Sequence, residues 1–84
     1  MITIYSTSWF PSCVMAKRLL EEKNISYAEI NIEEKGWDRE KLKELTGAMT
    51  VPQIVINNKS IGGYESLLNL NQSGELERLT QEWT

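Results

Sequence analysis

The sequence has no histidine and only one cysteine, Cys13, in 84 residues. An intramolecular disulfide therefore cannot form. A zinc site built by this chain alone is effectively excluded, because such sites need several Cys or His ligands, and we expect no bound metal. Because we expect neither a signal peptide nor a membrane span, the predicted location is the cytoplasm, where a single thiol such as Cys13 stays reduced.

Basic clusters and long apolar runs are also missing. Nine Lys and Arg residues against twelve Asp and Glu residues give a net charge of −3, so we expect neither a nucleic acid nor an anionic membrane as a partner. No apolar run approaches the ~20 residues that span a bilayer, and no signal peptide is expected. Length and composition predict a single globular domain over residues 1–84, which we expect to be monomeric.

Hydrophobic patterning predicts the element order β-α-β-α-β-β-α-α. Strands are predicted at residues 2–5, 26–32, 51–57 and from 60 onward, the last two joined by a tight turn at 57–59. Helices are predicted from Pro11 to about Asn24, up to Gly47, at about 65–71, and after a cap at Ser73. The apolar contacts expected for the second and last helices are Leu42 and Leu45, and Leu76, Leu79 and Trp83.

Cys13 falls in the first turn of the first predicted helix if Pro11 opens that helix. The positive end of a helix dipole stabilises a thiolate, so this position is typical of a reactive cysteine. The alternative is that Cys13 is a small buried apolar side chain, because free cysteine is among the most buried residue types.

Two further segments have the chemistry of a peptide or anion site. The Val51–Pro52 bond, if cis, would expose the Val51 backbone to an extended peptide; the alternative is simply a strand that begins at 53. The IGGYE segment, 61–65, would bring a ligand close to the backbone and leave helix N–H groups free for a carboxylate. The alternative for IGGYE is a loop that needs positive φ.

Taken in order, these three motifs resemble those of the glutaredoxin family. The resemblance runs nearly end to end, through ITIYS, CVMAKRLLEEKNISYAEINI and LKELTGAMTVPQIVINNKSIGGYESLLNLNQSGELERL. It implies a thioredoxin-like α/β fold, with a four-stranded mixed sheet and helices on both faces. It also implies a glutathione-dependent thiol–disulfide oxidoreductase of electron transfer and redox homeostasis, with thiol or disulfide proteins as partners.

The resemblance also implies a binding site for glutathione, the co-substrate. Backbone groups of Val51 would hold its cysteinyl part, and the Gly63 and Tyr64 backbone with the Glu65 side chain would hold its γ-glutamyl end. The full implied set is Thr50, Val51, Pro52, Gly63, Tyr64 and Glu65. Arg39 or Lys43 would meet the glycyl carboxylate.

The chain departs from the family pattern at Phe10. The family's Cys-x-x-Cys or Cys-x-x-Ser motif falls on residues 10–13, so Cys13 takes the place of the resolving cysteine and Phe10 that of the nucleophile. A phenyl ring cannot attack a disulfide and cannot cap a helix. It also cannot ligate iron, so an iron–sulfur role is not expected. We expect Phe10 to form an exposed apolar patch with Trp9. Thr7 stands where many members carry a lysine.

Three functional hypotheses follow. The chain is a slow oxidoreductase that works through Cys13, or a non-catalytic module that binds glutathione or a peptide in the family's groove. The third hypothesis is that Phe10 replaces a natural cysteine or selenocysteine, because the helix, proline and diglycine around it are intact.

Overall fold

The eight elements follow one another in the predicted order. The computed structural model describes residues 1–80. The elements are β1 (Ile2–Ser6), α1 (Pro11–Glu22), β2 (Ala28–Asn31), α2 (Arg39–Thr46), β3 (Gln53–Ile56), β4 (Lys59–Gly62), α3 (Tyr64–Ser73) and α4 (Glu75–Thr80). None of the helices formed by these residues is long and apolar enough to cross a membrane.

The sheet has the strand order β2-β1-β3-β4, with β1 at its centre beside β3. β1 is parallel to β2 and antiparallel to β3, where Ile4 pairs with Ile54. β3 is in turn antiparallel to β4. The chain therefore leaves β1 and β4, and enters β3, at the same end of the sheet. Loops that are distant in sequence meet there.

The main core lies on one face of the two central strands. Ile2 and Ile4 of β1, and Ile54 and Ile56 of β3, are each at most 3% exposed, as the two-residue period of a strand requires when one face is buried. Helices α1, α3 and α4 cover this face with Ala16, Leu20, Leu67 and Leu76. Each fully buried Leu or Ile stabilises the fold by about 1.5–3 kcal/mol.

A second, smaller cluster lies beside the end of the sheet where these loops meet. Its buried members are Cys13, Ile32, Leu42 and Val51, and Tyr5, Phe10 and Trp37 pack against them. Tyr5 points to the opposite face of β1 from Ile4, so α2 covers the second face through Leu42. The predicted mixed sheet with helices on both faces is confirmed.

Residues that tolerate or favour special backbone geometry end the elements as predicted. Asn24 has φ 59° just after α1, and Gly47 ends α2 with φ 87°. Asn57 and Asn58, with φ 51° and 67°, form the two-residue turn between β3 and β4, which matches the positive φ values that such turns need. The Asp38 side chain caps α2 by accepting from the Lys41 N–H at 2.9 Å.

Several predicted boundaries were wrong. The second strand is Ala28–Asn31 rather than 26–32, and the third begins at Gln53 rather than 51, because Pro52 has no N–H for the ladder. α3 extends over Tyr64–Ser73, so Ser73 ends it, although the Ser73 hydroxyl still accepts from the Glu75 N–H at 3.4 Å. Trp83, an expected contact of the last helix, lies outside the described residues.

The prediction that Leu45 is an apolar contact was also wrong. Leu42 is fully buried in the second cluster, whereas Leu45, three residues later on the same helix, is 43% exposed. α2 is short and covers the sheet with one residue, so only a single Leu finds a partner surface.

These two leucines make a matched test of the packing of α2. Leu42→Ala should lower the free energy of unfolding by about 2–5 kcal/mol, because it leaves a cavity. Leu45→Ala should lower it by less than about 1 kcal/mol, because its side chain is already partly in water. Urea denaturation followed by circular dichroism measures both. Equal losses would contradict this packing.

Candidate functional site

Glu33 ties the loop between β1 and α1 to the turn that follows β2. The Trp9 indole Nε1 donates to Glu33 Oε2 at 3.0 Å, and the Ser8 backbone N–H donates to Glu33 Oε1 at 3.3 Å. Asn31 adds a third bond, from Nδ2 to Ser8 Oγ at 2.6 Å. The loop is therefore held at both its backbone and its side chains, although Trp9 itself is 64% exposed.

Phe10 is the N-cap residue of α1 but gives that helix no side-chain cap. Its carbonyl accepts from the Cys13 N–H at 3.1 Å. Its ring stands edge-to-face on Trp9, with the centroids 5.6 Å apart, and packs on the cluster that contains Val51. The expectation of an exposed Phe10 was therefore wrong. The ring is half-buried and gains apolar contacts that compensate for the missing cap, and only Trp9 is well exposed.

Cys13 combines both of the environments considered for it. It is the third residue of α1, in the first turn, and it is also fully buried, with no exposed surface. Apolar neighbours surround it, among them Leu42 and Val51. A thiolate must reach its disulfide to attack it, so burial rather than helix position governs what Cys13 does in the folded chain.

A cavity of about 340 Å³ opens at the same end of the sheet. Its lining comes from three segments that are far apart in sequence: Ser12, Thr50, Val51, Pro52, Gly63, Tyr64, Glu65 and Ser66. The structure thus brings together six of the residues that the resemblance assigned to glutathione, those at 50–52 and 63–65. Ser12 and Ser66 were missed; each sits in the first turn of a helix, next to a residue already singled out. Phe10 and Cys13 are close in sequence to Ser12 but are not among the described residues that line the cavity.

Backbone geometry shapes the middle of the cavity. The Val51–Pro52 peptide bond is cis. The buried Gln53 side chain donates to Thr50 Oγ1 at 3.0 Å and holds the turn before β3. A Cβ on Gly63 would lie 3.2 Å from the Pro52 carbonyl oxygen, so a glycine lets the start of α3 approach this turn closely.

Gly62, by contrast, is needed for its backbone conformation. It has φ 107°, and a Cβ there would meet Ser66 Oγ at 2.7 Å. The positive-φ reading of the diglycine segment therefore applies to Gly62. The close approach at Gly63 is made by the Pro52 carbonyl, and the expected approach of a ligand to this backbone stays a prediction.

The first turn of α3 gives the cavity both hydrogen-bond donors and a negative charge. No side chain of the described residues caps this helix at Gly63, so its first N–H groups keep their donor capacity and the positive dipole end is uncovered. Glu65 lies in the same turn and lines the cavity. Amide donors beside a carboxylate suit the carboxylate and ammonium groups of an amino-acid end.

Several polar residues outside the cavity lining have structural partners, and Thr7 has none among the described residues. Burial raises the pKa of Glu29, but hydrogen bonds from Lys17 and Ser6 outweigh this and hold the pKa below its usual value. Thr7 is 2% exposed, and its Oγ1 finds no hydrogen-bond partner in the part of the chain that is described. Arg39 donates to the Met49 carbonyl at 3.2 Å, and neither Arg39 nor Lys43 lines the cavity. Within residues 1–80 no three metal-ligating side chains group together.

A mixed β2-β1-β3-β4 sheet with helices on both faces, and a cavity between a cis-proline turn and a helix start, define the thioredoxin-like class. A family model described as Glutaredoxin matches residues 2–61. The "Glutaredoxin" of Pseudomonas aeruginosa is 38% identical over 78 residues, which cover 93% of this chain and 93% of that protein. "Glutaredoxin 3" of Escherichia coli is 37% identical over 78 residues, covering 93% and 94%. The chain belongs to the glutaredoxin family.

Solved structures agree with this assignment. The holo form of glutaredoxin C1 from Populus tremula x tremuloides superposes with a TM-score of 0.86 at 27% identity, covering 99% of this chain and 85% of that one. A buckwheat glutaredoxin–glutathione complex superposes with a TM-score of 0.84 at 24% identity, covering 96% and 76%. The second likeness concerns the fold alone.

The burial of Cys13 leads to a direct prediction. A small alkylating reagent should modify Cys13 in the folded protein roughly a hundredfold more slowly than in strong denaturant, because reaction requires local opening. Phe10→Ala should speed the reaction, since the ring packs on the cluster that encloses the thiol. Mass spectrometry over time measures both rates. Equal rates in the folded and unfolded chain would contradict the burial.

Proposed function

We propose that this member of a redox family binds glutathione non-covalently and does not itself exchange disulfides at an appreciable rate. The observation that carries the proposal is the cavity between Val51–Pro52 and the start of α3. The only thiol of the chain, that of Cys13, is buried and does not line this cavity. A reducing compartment such as the cytoplasm, which holds a glutathione pool, is the proposed setting.

The lining residues supply partners for most of the tripeptide. The γ-glutamyl carboxylate accepts from the free N–H groups at the start of α3, and the ammonium group meets Glu65. The cysteinyl part pairs with the Val51 backbone as an extended strand would. A volume of about 340 Å³ lies at the lower end of the range of about 300–1,000 Å³ usual for small-ligand sites. The buckwheat glutaredoxin of similar fold was crystallised in a complex with glutathione.

A titration with reduced glutathione tests the proposal. Isothermal calorimetry should detect binding at millimolar ligand or below. NMR spectra recorded during the titration should show shifts of the backbone amides at residues 51 and 62–65. Glu65→Gln should weaken binding about fivefold, because it removes a charge partner near the surface. Glu22→Gln, at the far end of α1, makes the same change of charge and should bind like the unaltered chain. The absence of heat and of amide shifts at millimolar ligand would refute the proposal.

A second candidate, a glutathione-linked oxidoreductase, is favoured by the intact surroundings of position 10. Helix α1, the cis-proline turn and the diglycine segment are all in place around it. What is missing is a nucleophile, because Phe10 has no group that ionises and Cys13 is enclosed. In this second candidate, the residue at position 10 alone decides whether this chain has the redox activity of its family.

Restoring a thiol at position 10 tests whether the residue there is all that limits redox activity, and the activity of the original chain separates the two candidates. Phe10→Cys should gain glutathione-dependent reduction of a small disulfide at least about tenfold above the original chain, because a helix N-terminus favours the attacking thiolate. Phe10→Ser removes the same ring without supplying a thiol and should stay inactive. A standard coupled assay measures all three proteins. Comparable activity in the original chain would instead support turnover through Cys13.

A further inference from the structure

The aromatic pair Trp9 and Phe10 comes just before Ser12, which lines the proposed glutathione site on the α1 side. We propose that the site takes glutathione S-conjugates, thioethers with an apolar group on sulfur, and that Trp9 and Phe10 contact this group. The inference rests on the proposed function and deepens it, since it names the class of glutathione derivative that the site prefers.

The cavity and the aromatic pair are continuous through Val51. Val51 lines the cavity and also belongs to the cluster on which the Phe10 ring packs. Ser12, two residues after Phe10, forms the wall of the cavity on the α1 side. A ligand whose γ-glutamyl end lies on α3 and whose cysteinyl backbone lies along Val51 therefore directs its sulfur substituent towards the start of α1.

Trp9 is both exposed and held in one orientation. Its side chain is 64% exposed, yet its indole Nε1 donates to Glu33 at 3.0 Å and its ring stands on Phe10 at an interplanar angle of 88°. An exposed side chain that is already ordered loses little conformational entropy when a ligand covers it. The ring pair thus forms a fixed apolar surface beside the cavity.

This surface suits an alkyl or aryl group better than a thiol. Phe10 has no hydrogen-bonding group for a sulfhydryl, and Trp9 already uses its one donor on Glu33. An apolar substituent on sulfur removes its own surface and part of both rings from water. Burial of about two methylene groups corresponds to a roughly tenfold lower dissociation constant.

Calorimetry with reduced glutathione, S-methylglutathione and S-hexylglutathione tests the inference on the full chain. S-hexylglutathione should bind about tenfold more tightly than reduced glutathione, with S-methylglutathione between them. Trp9→Ala should bring the ratio of the two dissociation constants close to one. Leu45→Ala removes an exposed apolar side chain of α2 that does not line the cavity, and it should leave the ratio unchanged.

The outcomes separate this inference from the proposed function. If reduced and S-hexyl glutathione bind equally, the preference for conjugates is refuted while glutathione binding stands. If the hexyl derivative binds more tightly but Trp9→Ala retains the full ratio, Trp9 is not a contact and the inference, which needs both rings, is also refuted. If none of the three ligands binds, both fail. Circular dichroism of each variant confirms that it is folded.

Discussion

The relative directions of β1, β3 and β4 determine where the residues that line the cavity lie. Because β3 runs opposite to β1 and β4 runs parallel to it, the exit from β1, the entry to β3 and the exit from β4 share one end of the sheet. Ser12, Val51 and Glu65 reach a common cavity for this reason. These three residues are far apart along the chain, and strand pairing brings them together.

Much of this arrangement was predictable from local patterns. The two-residue period of ITIY and the Asn-Asn turn after β3 indicate strands and a hairpin without reference to the rest of the chain. The contrast between Leu42 and Leu45 was not predictable, because both fit a helical spacing and only the tertiary packing of α2 decides which is covered. The end of β2 was missed for a similar reason: its boundary depends on pairing with β1.

Phe10 illustrates how one residue can break a local rule and satisfy a tertiary one. As a helix cap it is poor, since its ring accepts no hydrogen bond from the free N–H groups. As a neighbour of Val51 and Trp9 it closes the small apolar cluster that encloses Cys13. The sequence alone shows that Phe10 is a poor helix cap. It does not reveal the closing of the cluster, because Val51 and two other buried members of the cluster, Ile32 and Leu42, are distant along the chain.

The cavity wall joins three segments that would separate on unfolding, and this has a thermodynamic consequence. A molecule that occupies the cavity contacts the start of α1, the turn before β3 and the start of α3 together. Such a molecule binds the folded chain and not the unfolded one, so its concentration adds to the stability of the whole domain by mass action. The free energy of unfolding then rises with the concentration of any molecule that fills the cavity.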